Sequence, residues 1–186
     1  FSALAAHDLV KELNATSKDQ QLQVLAGDYY SGKYYHLLAS DGQLDLIQIL
    51  SEGVATISEH KTRFYDRQIY GFDQLIQSIQ LIESQSIEQL LEYYSFHEYV
   101  FVMKESLLLI ALKKELAAYE QGEQPFYISK SSQLQANINI LQLEIEKIES
   151  ILMDEIKNSE LLEEQLKSII LEKLMKCTLE KQLREG

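Results

Sequence analysis

The sequence predicts an all-α protein, an antiparallel or orthogonal bundle of helices. Three observations carry this. The 186 residues hold one proline and seven glycines, the residues that cost a helix interior about 3 and about 1 kcal/mol. Apolar residues recur at three- and four-residue steps over most of the chain, the period of a helix with one buried face. No strand pattern and no glycine-rich phosphate loop interrupts them. The length suffices for one large domain or two small ones with a substantial core.

Phe1 to Leu13 reads as the end of a buried helix followed by the polar break Asn14-Ala15-Thr16. Because the chain opens inside that helix, a further segment is expected upstream of Phe1. Ser17-Lys18-Asp19-Gln20 has capping-box spacing and predicts a helix start. That helix runs to about Ala39 and stops at the turn cluster Ser40-Asp41-Gly42. Leu44, Ile47, Leu50, Val54, Ile57 and Lys61 predict the buried face of the next helix. Gly71 separates it from a short amphipathic helix carrying Phe72, Leu75, Ile76, Ile79 and Ile82. A second capping box, Ser86-Ile87-Glu88-Gln89, predicts the start of a long apolar helix that continues to Gln121-Gly122. Pro125 falls in the following loop, where its missing N–H is harmless. Leu134, Ile138, Leu141, Ile145, Ile148 and Leu152 then form a heptad seam. Asn158-Ser159 interrupts it, and Leu162, Leu166, Ile169, Lys173 and Leu174 begin another amphipathic run. The expected organisation is a helical bundle over 1–121 with a C-terminal helical hairpin over 131–184 packed on it as one domain.

The formal net charge of −12 argues against a nucleic-acid partner, since phosphate binding needs clustered Lys and Arg. No stretch approaches the roughly 20 apolar residues that span a bilayer, so no transmembrane segment is expected. No basic region precedes a short apolar run, so no signal peptide is expected. The single Cys177 cannot form an internal disulfide. These features predict a soluble, cytoplasmic protein.

Four segments, in order, look like degraded versions of the trans-prenyltransferase signature helices. Leu25-Ala26-Gly27-Asp28-Tyr29-Tyr30, followed by Leu37-Leu38-Ala39, resembles that family's Gly-Asp helix. The fuller string from Gly27 through Asp28 to Tyr35 is closer still to the small subunits of heterodimeric heptaprenyl diphosphate synthases. Ile57-Ser58-Glu59-His60-Lys61 lies where active members have a Gly-Glu pair, and Met103-Lys104-Glu105-Ser106-Leu107 where they have Lys-Thr-Ala or Lys-Thr-Gly. His7-Asp8-Leu9-Val10-Lys11-Glu12 lies where they read His-Asp-Asp-x-x-Asp. The resemblance covers roughly residues 1–121. It implies a degenerate isoprenoid synthase fold and a component-1-type, non-catalytic subunit in the trans-type isoprenoid synthase family.

The departures decide what the resemblance implies for chemistry. Active members hold Mg²⁺ on two aspartate-rich motifs that grip the leaving diphosphate, and Mg²⁺ demands several hard oxygens in octahedral array. Here Leu9 replaces the second aspartate of the first motif, leaving Asp8 and Glu12. The second motif is replaced by Gln121-Gly122-Glu123-Gln124-Pro125-Phe126, and the sequence has no Asp-Asp pair anywhere. The resemblance therefore implies no catalytic residue and no cofactor on this chain. Mg²⁺ is expected on a catalytic prenyl diphosphate synthase subunit that pairs with it as a heterodimer or higher assembly. Asp8, Glu12, Gly27, Asp28, Glu59 and Lys104 stand as vestigial motif positions. The expected product of the assembly is a long all-trans prenyl diphosphate for a quinone (menaquinone) side chain.

Tyr29, Tyr30, Tyr34 and Tyr35 admit two readings. Pairs such as Tyr30 and Tyr34 can stack on one helix face as packing, or the group can contact a partner, since tyrosine is favoured at interfaces. His7, His36, His60 and His97 have no metal-ligand spacing. Lys33, Lys61 and Lys104 read as structural or interfacial, and Cys177 has no catalytic neighbour. A second class of function also fits: a free-standing helical adaptor with the 134–152 heptad as its binding seam.

Overall fold

The computed structural model describes Ala3, Ala6, residues 17–66 and residues 71–182, with backbone only at 65, 173 and 175–182. The helices are α1 (Lys18–Ser40), α2 (Leu44–Tyr65), α3 (Phe72–Tyr93), α4 (Val100–Glu120), α5 (Phe126–Lys130), α6 (Ser132–Ala136), α7 (Ile138–Asn158) and α8 (Glu164–Gln182). A single 3-10 turn, His97–Tyr99, joins α3 to α4. Among the described residues there is no strand, so the fold is all-α. The chain divides into two compact units, Phe1–Glu52 and Gly53–Gly186.

In the first unit the Ser17 cap forms as its spacing predicts: its hydroxyl accepts from the Gln20 amide at 3.3 Å. This satisfies one of the free N–H groups at the start of α1. The helix ends at Gly42, whose φ of +72° suits a residue without Cβ. The Gln43 amide donates to Leu38 O at 2.8 Å and the Gly42 amide to Ala39 O at 3.1 Å. That pair of bonds is a Schellman motif.

Helix α2 begins where predicted, but its buried line differs. Leu44 is 65% exposed, whereas Leu46, Ile57 and Phe64 are buried, as is Gly53. At about 100° per residue the positions 46, 53, 57 and 64 fall within about 40° of one another, and 44 lies about 160° round the helix. The predicted stripe omitted Phe64 and Gly53, the two positions that set the observed one. Phe64 packs its ring against Tyr127 and Phe126, with centroids 5.1 and 6.1 Å away. Gly53 leaves the space that the Gln89 side-chain amide fills.

The second correction concerns Ser86. The predicted helix start there does not form, and α3 runs unbroken from Phe72 to Tyr93. The apolar line Leu75, Ile79 and Ile82 is buried, and Ser84 is buried after it with its hydroxyl donating to Gln80 O at 2.7 Å. A capping box permits a helix start without compelling one, and nothing before Ser86 breaks the helix. The break falls instead at Ser95, which adopts a φ of +59°. The Phe96 amide donates to Leu91 O at 2.7 Å and the Ser95 amide to Glu92 O at 3.0 Å, a Schellman motif without glycine. Gly122 ends α4 in the same way, with a φ of +77°. Left-handed backbone costs an ordinary L-residue roughly 1–2 kcal/mol. Ser95→Gly should therefore stabilise the protein by up to about 1 kcal/mol after the loss of unfolded-state restriction is subtracted. A thermal melt checks this, and an unchanged or lower Tm would contradict it.

The core of the second unit lies where α3 and α7 meet α4's inward side chains. Helices α3 and α4 fold back on each other, and α7 lies on α4. Leu108, Leu109 and Leu112 of α4 are buried together with Leu134, Leu141, Ile145, Ile148 and Leu152 of the heptad seam. Ile138 is half-buried, because Asn137 offsets α6 from α7. The seam thus packs inside this chain. Each fully buried aliphatic side chain contributes about 1.5–3 kcal/mol. Lys113 on α4 and Glu149 on α7 add an ion pair at 2.8 Å across the same contact. The chain breaks after Asn158 as predicted, and α8 packs on α7. Leu162 and Leu174 are buried, but Leu166 and Ile169 of the predicted amphipathic run are exposed. Among the described residues α8 has only α7 as a substantial neighbour, too little to cover a full stripe. No described helix is long and apolar enough to cross a membrane.

Candidate functional site

Helix α1 carries the most distinctive sequence of the chain, and its side chains divide by face. Gly27 is buried, with Ser31, Tyr34 and Leu38 half-buried on the same side. Tyr30 does not stack on Tyr34. The rings pair as sequence neighbours instead: Tyr34 stacks on Tyr35 at 4.3 Å, and Tyr29 meets Tyr30 edge-on at 5.8 Å. The cause is Ser51 on α2. Its hydroxyl donates to Ile47 O at 2.7 Å, so its oxygen is left to accept the Tyr35 hydroxyl at 3.0 Å. This bond turns Tyr35 toward α2 and over Tyr34. Tyr29, Tyr30 and Tyr35 are all exposed, Tyr35 the least of the three, with the Lys33 ammonium 5.9 Å from the Tyr29 ring centre. The four tyrosines are therefore two pairs with different surroundings.

The positions expected to be vestiges of the motifs enter separate local structures. Asp8 and Glu12, with His7, lie outside the described residues. Gly27 and Asp28 sit on opposite sides of burial in α1, the glycine covered and the aspartate exposed. Glu59 holds Arg63 one turn along α2 at 2.5 Å in an exposed pair worth little to stability. Lys104 donates to Glu88 at 2.7 Å, tying α4 to α3 in a partly buried bond. The same two helices are joined one face over, where the Gln80 amide donates to Glu105 at 2.8 Å. His60 packs between helices, with its Nδ1 3.0 Å from the Ser78 hydroxyl. Burial and then the nearby Arg63 hold its pKa below the usual imidazole value, favouring neutral His60. Among the described residues no three His, Cys, Asp or Glu side chains gather as a metal site.

A family model described as heptaprenyl diphosphate synthase (HEPPP synthase) subunit 1 matches residues 2–140. The chain belongs to that subunit 1 family. The match includes every motif position named above and runs on past residue 121 through α5 and α6 into α7. Heptaprenyl diphosphate synthase component 1 of Geobacillus stearothermophilus is 42% identical over 82 residues, which cover 44% of this chain. They cover 37% of that relative, so the chain spans little more than a third of its length. No solved structure matches the chain significantly.

Three further features of this chain lie outside the positions that the motifs mark. One is a clasp around the α4–α5 turn, close to where the resemblance places the missing second aspartate-rich motif. Glu115 accepts from the Ile128 amide at 3.0 Å, and the Tyr127 hydroxyl donates to Glu83 at 2.5 Å. Burial pushes the Glu115 pKa up, and the amides of Ile128, Tyr127 and Phe126 at the start of α5 partly offset this. Nothing in the sequence distinguishes Glu115, which follows Lys113-Lys114 on a helix that also carries Glu105 and Glu120. Another is the aromatic tip at the α3–α4 turn, where Tyr94, Phe96 and Phe101 are exposed. The clustering of aromatics from Tyr93 to Phe101 was the available signal. The third is the outer side of α1, where Leu22 and Leu25 are exposed beside Tyr29. Their three- and four-residue spacing is the signal in the sequence; Leu25 and Tyr29 also belong to the Gly-Asp motif segment, and Leu22 does not.

Proposed function

We propose that this chain is the non-catalytic, regulatory and structural half of a two-chain heptaprenyl diphosphate synthase. The observation that carries the reading is the subunit 1 family match over residues 2–140, joined to a sequence without any Asp-Asp pair. The catalytic partner supplies both aspartate-rich motifs and the Mg²⁺ they hold. It condenses an allylic diphosphate with several isopentenyl diphosphates, and the product serves as a menaquinone side chain. The local structure supports the division of labour. Lys104, at a position matched to the diphosphate-contacting region of active relatives, has its ammonium committed to Glu88. The loop standing in for the second motif is held by hydrogen bonds to Glu115 and Glu83. Neither arrangement presents carboxylates to a metal. The seam at 134–152, which an adaptor would need as a free surface, is buried in this chain.

Reconstitution tests the proposal. Farnesyl diphosphate, labelled isopentenyl diphosphate and Mg²⁺ are supplied to this chain, to the catalytic chain, and to the two mixed. Long-chain product is expected only from the mixture. Robust elongation by this chain alone, or no effect of adding it, would overturn the reading.

A further inference from the structure

Two consecutive residues of α5 are held by carboxyl groups from two other helices. The Tyr127 hydroxyl donates to Glu83 of α3 at 2.5 Å, and the Ile128 amide donates to Glu115 of α4 at 3.0 Å. Tyr127 and Ile128 are both buried, so the two bonds close over covered atoms. Phe64 of α2 packs its ring on Tyr127 at 5.1 Å. Side chains of α2, α3 and α4 therefore meet at this one turn of α5.

Two acids converge on this short helix, and among the described residues neither is paired with a cation. The groups around Glu115 come from each neighbouring element. Helix α3 brings Glu83, a like charge, and α5 brings the amides of Phe126, Tyr127 and Ile128. Lys130 stands at the opposite end of α5. Helix α2 brings the uncharged Phe64. On the side of α4 that meets α7, Lys113 and Glu149 bind each other at 2.8 Å and present a neutral pair.

A carboxylate withdrawn from water is penalised in its charged form, and a second carboxylate nearby adds to the penalty. The three amides act the other way, because they favour negative charge. Burial is the largest influence and wins, holding the Glu115 pKa above its ordinary value. When α5 lifts away, Glu115 returns to water and to a value of about 4.3. The closed form therefore binds the proton more tightly than the open form. Closure is favoured in full below the open-form value and is lost as pH rises through the raised, closed-form value. We infer that Glu83 and Glu115 form a proton-operated latch on α5, closed while Glu115 is protonated and loosened when both carboxyl groups are charged. The protonated acid keeps its carbonyl oxygen as acceptor for the Ile128 amide, so taking up the proton breaks no hydrogen bond. Opening uncovers Tyr127 and Ile128 and removes the ring that backs Phe64.

The test uses the full chain and reads hydrogen exchange at the Ile128 amide, corrected for the intrinsic pH dependence of exchange. In the parent, opening at Ile128 should increase at least about threefold between about pH 5 and about pH 8. The amide of Leu152 on α7, read in the same spectra, should not follow it. Glu115→Gln keeps an acceptor for Ile128 and cannot ionise. Its Ile128 amide should hold the low-pH protection throughout. Glu83→Gln removes the like charge, leaves an acceptor for Tyr127, and should make the increase smaller. The carboxyl carbon of Glu115, followed by NMR in the parent, should titrate above the ordinary carboxylate range. A flat Ile128 profile in the parent would overturn the inference, as would an ordinary titration of Glu115. An increase that persists undiminished in Glu115→Gln would overturn it too, because another group would then operate the turn. If Glu115→Gln fails to fold, the parent titration and Glu83→Gln still decide the matter.

Discussion

Leu141→Ala combined with Leu152→Ala should unfold the Gly53–Gly186 unit under conditions where the parent is fully folded. Both side chains are 0% exposed on α7. Each truncation removes buried methyl groups and leaves a cavity that the close-packed neighbours on α4 cannot fully close, at about 2–5 kcal/mol. The two sites are three turns apart, roughly 16 Å at 1.5 Å per residue, so their costs should add. The sum of about 4–10 kcal/mol is comparable to the whole stability of an ordinary domain, about 5–15 kcal/mol. Urea titration followed by circular dichroism measures it. Leu141→Met, which keeps volume, should cost less than about 1.5 kcal/mol. A double-variant loss below about 2 kcal/mol would mean that α7 does not form the core with α4.

Phe64→Ala has the largest effect expected of a single substitution. Phe64 is 1% exposed and its ring faces Tyr127 and Phe126. Removing it should cost about 3–5 kcal/mol. The loss has a local signature as well as a global one. Tyr127 is held from one side by Phe64 and from the other by its bond to Glu83. Without the ring, α5 loses its backing and the Ile128 amide should exchange with solvent faster than the amides of α7. That amide is otherwise protected by Glu115. Hydrogen exchange of Ile128 and a denaturant titration together check the claim. Normal protection at Ile128 alongside normal stability would show that the aromatic cluster is incidental.

The segment after α4 turns on Gly122 and Pro125 and hands the Ile128 amide to Glu115, so that carboxylate serves packing.

The sequence alone determined the helix class, most of the helix ends and the family. These follow from local physics. The Ser17 cap, the glycines at 42 and 122 and the break at Asn158-Ser159 are each settled by backbone groups within about five residues. The heptad seam was equally legible, because its six apolar positions repeat with a period that only one buried face satisfies. Tertiary structure decided what local signals left open. Ser86 could have started a helix, but the buried line of α3 carries through it. Ser95 ends that helix in a left-handed conformation that glycine would have announced and serine does not. The buried stripe of α2 follows Gly53 and Phe64, whose partners Gln89, Phe126 and Tyr127 lie tens of residues away. Which tyrosine of α1 reaches the next helix depends on one hydroxyl there, Ser51. A turn is closed by neighbours along the chain, whereas the direction a side chain faces is chosen by neighbours in space.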